Sequence, residues 1–150
     1  MWRLRRRGSW RQLQRVYERG ISVGRLTRSA RRMNQNELSE RLWDFAARVG
    51  KVVDALPETR LGRHVAGQLV RCGTSAPPNY DESGGSESRD DFVHKLSVAL
   101  KELRESRGWL RFIGKTALLP EKDLAILVDE SEQLCRILGK SVITARTKAK

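Results

Sequence analysis

Residues 88–113 read SRDDFVHKLSVALKELRESRGWLRFI, and the spacing of their apolar side chains decides the fold. Phe92, Leu96, Ala99, Leu103, Ser106, Leu110 and Ile113 recur at intervals of 4-3-4-3-4-3. That period puts them on one side of an α-helix and matches no strand, in which alternate residues share a face. Ser88 stands where a helix needs a cap, because its hydroxyl can accept one of the early backbone N–H groups. Asp91 falls in the first turn, where the helix dipole favours negative charge. The stretch therefore predicts a helix from Arg89 to about Gly114 with one apolar stripe.

The same pattern repeats on both sides. Leu38, Leu42, Phe45, Val49, Val52 and Leu56 are spaced 4-3-4-3-4, so a helix is expected from about Asn36 to Leu56, stopped by Pro57. A second is expected from about Thr59 to Asn79, with Leu61, Val65, Gln68 or Leu69, Cys72 and Ala76 on one face. The pair Pro77-Pro78 is expected to kink or end it. A polar loop around Gly84-Gly85 follows. After residues 88–113, Pro120 suits the first position of a last helix with Glu121 and Asp123 in its opening turn. Its stripe is read as Leu124, Val128, Ser131, Cys135, Leu138 and Val142. No strand pattern competes. The fold class is all-α, an antiparallel up-down-up-down four-helix bundle with a basic N-terminal extension. The expected core includes Leu42, Phe45, Val49, Leu96, Leu103, Leu110, Leu124, Val128 and Leu138.

The formal charge of +12 over 150 residues is unevenly placed. Residues 1–33 hold eleven Arg and one acid, whereas residues 34–150 hold nineteen basic and seventeen acidic side chains, a net of +2. The organisation is thus an Arg-rich extension, 1–33, and a nearly neutral bundle, 34–150. Three readings of the extension stand side by side: residues upstream of an initiator at Met33, an arm for nucleic acid or acidic membrane, or a transit peptide. It is not a secretory signal, since no apolar stretch follows the charges, and no apolar run in the chain is long enough to span a membrane. A cytoplasmic location is expected.

Chemistry-bearing constellations are few. Two cysteines, Cys72 and Cys135, both fall on core stripes and read as small buried hydrophobes. Neither His64 nor His94 follows a Glu by three residues, as a di-iron bundle requires. No phosphate-loop spacing is present. No catalytic residue, metal ligand or cofactor is therefore expected. Arg71, Ser75 and Asn79 lie one turn apart, and Arg71 is expected to pair with Glu102 or Glu105 on the next helix. Arg104, Arg107, Arg111 and Lys115, at spacings of three and four, make a basic stripe that is a candidate for phosphate contact. An ordinary solvated helix face is the competing reading. Trp43, Trp109 and Phe112 flank the stripes, and Ile126, Leu127, Leu134 and Ile137 widen the apolar arc of the last helix. A lone bundle does not need that much apolar surface, so these aromatics are candidates for an interface between protomers.

Several segments carry a family resemblance. Residues 68–75 (QLVRCGTS) with Asn79 and Glu82, residues 88–92 (SRDDF), and residues 99–106 (ALKELRES) with Trp109-Leu110 resemble the four helix bundle protein family. That family is also called the 23S rRNA intervening-sequence protein family. Its segments have the forms QLxRAxxSxxxNxxEG, SxxDF and AxKExxExxxWL. Arg71, Ser75, Asn79, Glu82, Asp91 and Glu102 occupy the polar positions of these forms. Ser83 stands where the family has Gly, and Pro77-Pro78 interrupts the second segment. The resemblance covers about residues 36–143 and implies a bacterial protein that assembles as a homopentamer. Related accessory proteins of diversity-generating retroelements bind a reverse transcriptase and nucleic acid through such a ring. The expected function is a non-enzymatic oligomeric adaptor for structured RNA or DNA, with a reverse transcriptase as one candidate partner. The alternative is a purely structural protein–protein module.

Overall fold

The computed structural model describes residues 33–147. All of the Arg-rich extension except Met33 lies outside them, so the readings of that segment do too. Four helices follow in order: α1, Gln35–Ala55; α2, Arg60–Ser83; α3, Arg89–Lys115; and α4, Glu121–Thr147. No strand occurs among the described residues. Each helix packs against its neighbours in sequence, and α4 returns to α1, which α1 approaches least closely. Arg71 of α2 meets Glu102 and Glu105 of α3, while His64, earlier in α2, meets Trp109, later in α3. The two helices therefore run antiparallel. The architecture is the expected four-helix bundle.

The start and end of each helix have identifiable causes. The Thr59 hydroxyl accepts from the Gly62 N–H at 3.0 Å, capping α2. Gly62 is required there, because a Cβ would stand 2.0 Å from the Pro57 carbonyl oxygen. The Ser88 hydroxyl accepts from the Asp91 N–H at 3.1 Å and caps α3, as its sequence indicates. At the other end of α3, the Leu118 N–H reaches the Ile113 carbonyl and the Ala117 N–H reaches the Gly114 carbonyl, both at 3.1 Å. That is a Schellman closure with Ala117, at φ 53°, in the left-handed position that glycine usually takes. Helix α4 begins at Glu121, one residue later than the Pro120 start expected.

Helix α2 corrects the reading of its proline pair. It runs through Pro77 and Pro78 for more than a turn, to Ser83. The prolines remove two backbone donors, which opposes a helix by about 3 kcal/mol each in isolation. Here the buried side of the helix continues past them, through Ala76, Pro77, Tyr80 and Ser83. Local side chains also hold the turn. Thr74 Oγ1 donates to the Val70 carbonyl, Ser75 Oγ to the Arg71 carbonyl and Asn79 Nδ2 to the Ser75 carbonyl. Just before the pair, Gly73 lets α1 approach closely: a Cβ would stand 2.5 Å from Val49 Cγ1. Val49 is itself fully buried, so it has nowhere to move.

The core contains Leu42, Phe45, Val49, Leu96, Leu103, Leu110, Leu124 and Leu138, each essentially inaccessible to solvent. Val128 does not belong to it and is only half-buried. Helix α4 faces both α3 and α1, so its buried arc is rotated toward α1, and Leu127 and Leu134 fill the places assigned to Val128. Those two leucines, surplus apolar surface on the sequence pattern, are core. Leu61, placed on the buried face of α2, is 42% exposed, and Gly62 turns inward instead. Phe92 is half-buried at the start of the α3 stripe.

Candidate nucleic-acid interface and flanking surfaces

The α2–α3 seam gathers most of the polar residues singled out in the sequence. One Arg71 nitrogen lies 3.3 Å from Glu102 Oε2, and the other donates to Glu105 Oε1. The Glu105 carboxyl is held below its ordinary range, first by this hydrogen bond, then by the Arg71 charge, with help from the Trp109 side chain and Lys101. The same bond raises the Arg71 guanidinium further. Along α2, Asn79 donates to the Ser75 carbonyl at 2.8 Å and Ser75 donates to the Arg71 carbonyl, so the three form a ladder bonded to their own backbone. Glu82 is exposed at the last turn. Asp91 stands apart from this group: Lys95 Nζ donates to its carboxylate at 2.9 Å and holds its pKa down.

The aromatic residues split between two sides of α2. Trp109 meets His64 and Phe112 edge-on, with ring centroids 6.0 and 5.7 Å away. Phe112 is 38% exposed and Trp109 half-buried. Trp43, on α1, is 45% exposed, and its indole N–H donates to Asp81 Oδ2 at 2.8 Å. The other oxygen of Asp81 accepts from the Ser39 hydroxyl, so one carboxylate pins an exposed indole in place. Asp81 was not singled out in the sequence. Neither was Glu130, a buried carboxylate of α4 that receives Arg41 Nε at 2.6 Å and Arg41 Nη2 at 2.9 Å from α1. Neither has a local motif, since their partners lie tens of residues away in the chain.

The basic stripe lies on the other side of α3. Arg104, Arg111 and Lys115 are exposed and Arg107 is half-buried. Arg104 and Arg107 lie toward α4: their positive charges act on the Cys135 thiol, although burial dominates and raises it. Among the described residues none of the four forms an ion pair or side-chain hydrogen bond. The acids in the middle of α3 and of α4 have other partners. Glu102 and Glu105 face Arg71, Glu130 faces Arg41, Glu132 binds Arg136 at 2.6 Å, and Asp129 accepts from Gln133 at 2.7 Å. Glu121 packs beside Gly114, at the Lys115 end of the row. The stripe is thus a row of cations with no carboxylate within salt-bridge distance among the described residues.

Cys72 is buried against the Leu69 carbonyl, and desolvation raises its thiol pKa. Among the described residues no three His, Cys, Asp or Glu side chains are grouped so as to hold a metal ion. No described helix is long and apolar enough to cross a membrane.

Comparison with known proteins agrees with this geometry. The family described as 23S rRNA-intervening sequence protein matches residues 34–140. A crystal structure of a protein of unknown function from the S23 ribosomal protein family of Bacteroides thetaiotaomicron VPI-5482 is similar to this chain, with a TM-score of 0.66 and 26% identity. The alignment covers 70% of this chain and 97% of that one. No curated protein matches.

Proposed function

Because the chain belongs to the 23S rRNA-intervening sequence protein family, we propose that it is a non-enzymatic oligomeric adaptor that binds structured RNA or DNA in the cytoplasm. The observation that carries the reading is the row Arg104, Arg107, Arg111 and Lys115, which has no acidic partner. Such a row attracts phosphates and releases the counterions they hold. A bundle of net +2 binds polyanions weakly alone. A ring multiplies the charge by the number of copies and gathers it on a common surface. The exposed faces of Trp43 and Phe112 supply aromatic surface for that assembly, and a reverse transcriptase is a candidate protein partner.

Two measurements test the proposal. Light scattering at micromolar concentration is expected to give about five times the chain mass of 17.1 kDa; a mass of 17.1 kDa overturns the ring. Fluorescence anisotropy with a structured RNA is expected to show affinity falling steeply with salt. In the full chain, Arg107→Ala with Arg111→Ala should reduce the log–log salt slope by about two per engaged protomer. An unchanged slope overturns the assignment of the stripe.

The second reading, a purely structural module without a nucleic-acid role, is favoured by Trp43. An indole held by Asp81 yet 45% exposed is a pre-organised anchor for another protein surface. A full-sized ring with no measurable RNA affinity in the parent chain would select it.

A further inference from the structure

The surroundings of the basic row say which form of nucleic acid it suits. From Arg104 to Lys115 the row runs along about 16 Å of helix, at 1.5 Å per residue. Binding of single strands combines cations with aromatic rings on which unpaired bases stack. Among the described residues no ring stacks on a cation of this row. On the same helix, Trp109 meets His64 of α2 edge-on, and Phe112 packs edge-on against Trp109. Trp43 is bonded to Asp81 on α1 and α2, Phe45 and Tyr80 are buried, and Phe92 is half-buried at the far end of α3. A duplex keeps its bases stacked inside and offers phosphates at about one charge per 1.7 Å of axis, twice the density of either strand.

We infer that the α3 stripe is a phosphate-backbone reader for double-stranded nucleic acid, engaging charge and groove shape and not exposed bases. The inference rests on the nucleic-acid reading above and narrows its ligand. Recognition through phosphates alone carries no direct sequence information. Binding is therefore expected to depend on whether the strands are paired, not on which bases they carry.

The test uses the full chain and compares each variant with the parent. The probes are a short RNA duplex, the matching DNA duplex, and the separated strands. Arg107→Ala with Arg111→Ala should weaken duplex binding on the order of 10-fold or more near 0.1 M salt, while single strands lose less than about 2-fold. The charge reversal Arg107→Glu with Arg111→Glu should deepen the same contrast. Circular dichroism confirms that each variant retains its helices. Loss on the RNA duplex, the DNA duplex or both, with strands spared, supports the inference and identifies the preferred helix form.

Equal losses on duplex and single strand overturn it while leaving nucleic-acid binding intact. If the arginine pair affects no nucleic acid, the underlying assignment of the stripe fails as well. Anionic phospholipid vesicles complete the set. If the substitutions weaken vesicle binding and spare every nucleic acid, the stripe is a membrane patch and the inference falls.

Discussion

Replacing Leu103 by alanine is expected to destabilise the bundle by about 2–5 kcal/mol, lowering the thermal midpoint on the order of 10 °C. Leu103 is fully buried at the middle of α3, the helix that packs closely on both α2 and α4. Its removal loses the transfer free energy of the side chain and leaves a cavity that three packed helices cannot close. The surroundings include Ser106, also fully buried, whose hydroxyl is already bonded to the Glu102 carbonyl at 2.8 Å and cannot swing into the gap. Urea titration gives the loss directly. An exposed control on the same helix, Arg111→Ala, should change stability by less than about 0.5 kcal/mol. A Leu103→Ala cost below 1 kcal/mol would mean that α3 is not the centre of the core.

The second large effect is expected at Glu130. Its side chain is 11% exposed and receives two donors from Arg41, whose side chain is 26% exposed, with Arg48 at 3.9 Å. Helices α1 and α4 approach each other least of the neighbouring pairs, so this carboxylate is a principal tie across the weakest seam. Glu130→Ala leaves arginine charges facing a desolvated gap. Removing one partner of a fully buried pair costs about 3–5 kcal/mol; water at Arg41 reduces the expectation to about 2–3 kcal/mol. Glu130→Gln keeps an acceptor and should cost less than Glu130→Ala. Denaturant unfolding distinguishes the two. Equal and negligible losses would place the pair among ordinary surface ion pairs.

The parts of the fold legible in the sequence were those specified locally. Helix α3 could be read nearly to the residue because its period is unbroken and Ser88 caps it through a contact three residues away. The phase of α4 was harder. Leu127 and Val128 are adjacent and both apolar, and only the position of α1 decides that Leu127 is buried and Val128 half-exposed. Likewise, local propensity ends α2 at Pro77, and only burial against the other helices carries it on to Ser83. For the candidate site, the spacing of Arg104, Arg107, Arg111 and Lys115 was visible at once. The pairing of Arg71 with Glu102 and Glu105 was legible too, from helix spacing; that Glu130 turns to Arg41 across the α1–α4 seam was not. Asp81 and Glu130 have no local signature: their hydrogen-bond partners lie 38 to 89 residues away along the chain.

The Schellman closure after α3 has a meaning for how this sequence can drift. Ala117 keeps a methyl group where the backbone, at φ 53°, is shaped for a residue without one. Left-handed backbone disfavours a Cβ by about 1 kcal/mol relative to glycine. The bundle is therefore not at the ceiling of its own stability. It holds an unused margin at an exposed position of the connection, two residues past the last cation of the row. A lineage that gained Gly at this position could absorb one mildly harmful change elsewhere, for example on the exposed side of α3, where new binding specificities would arise. The turn is a store of mutational tolerance, positioned where drawing on it does not disturb the surface on which selection would act.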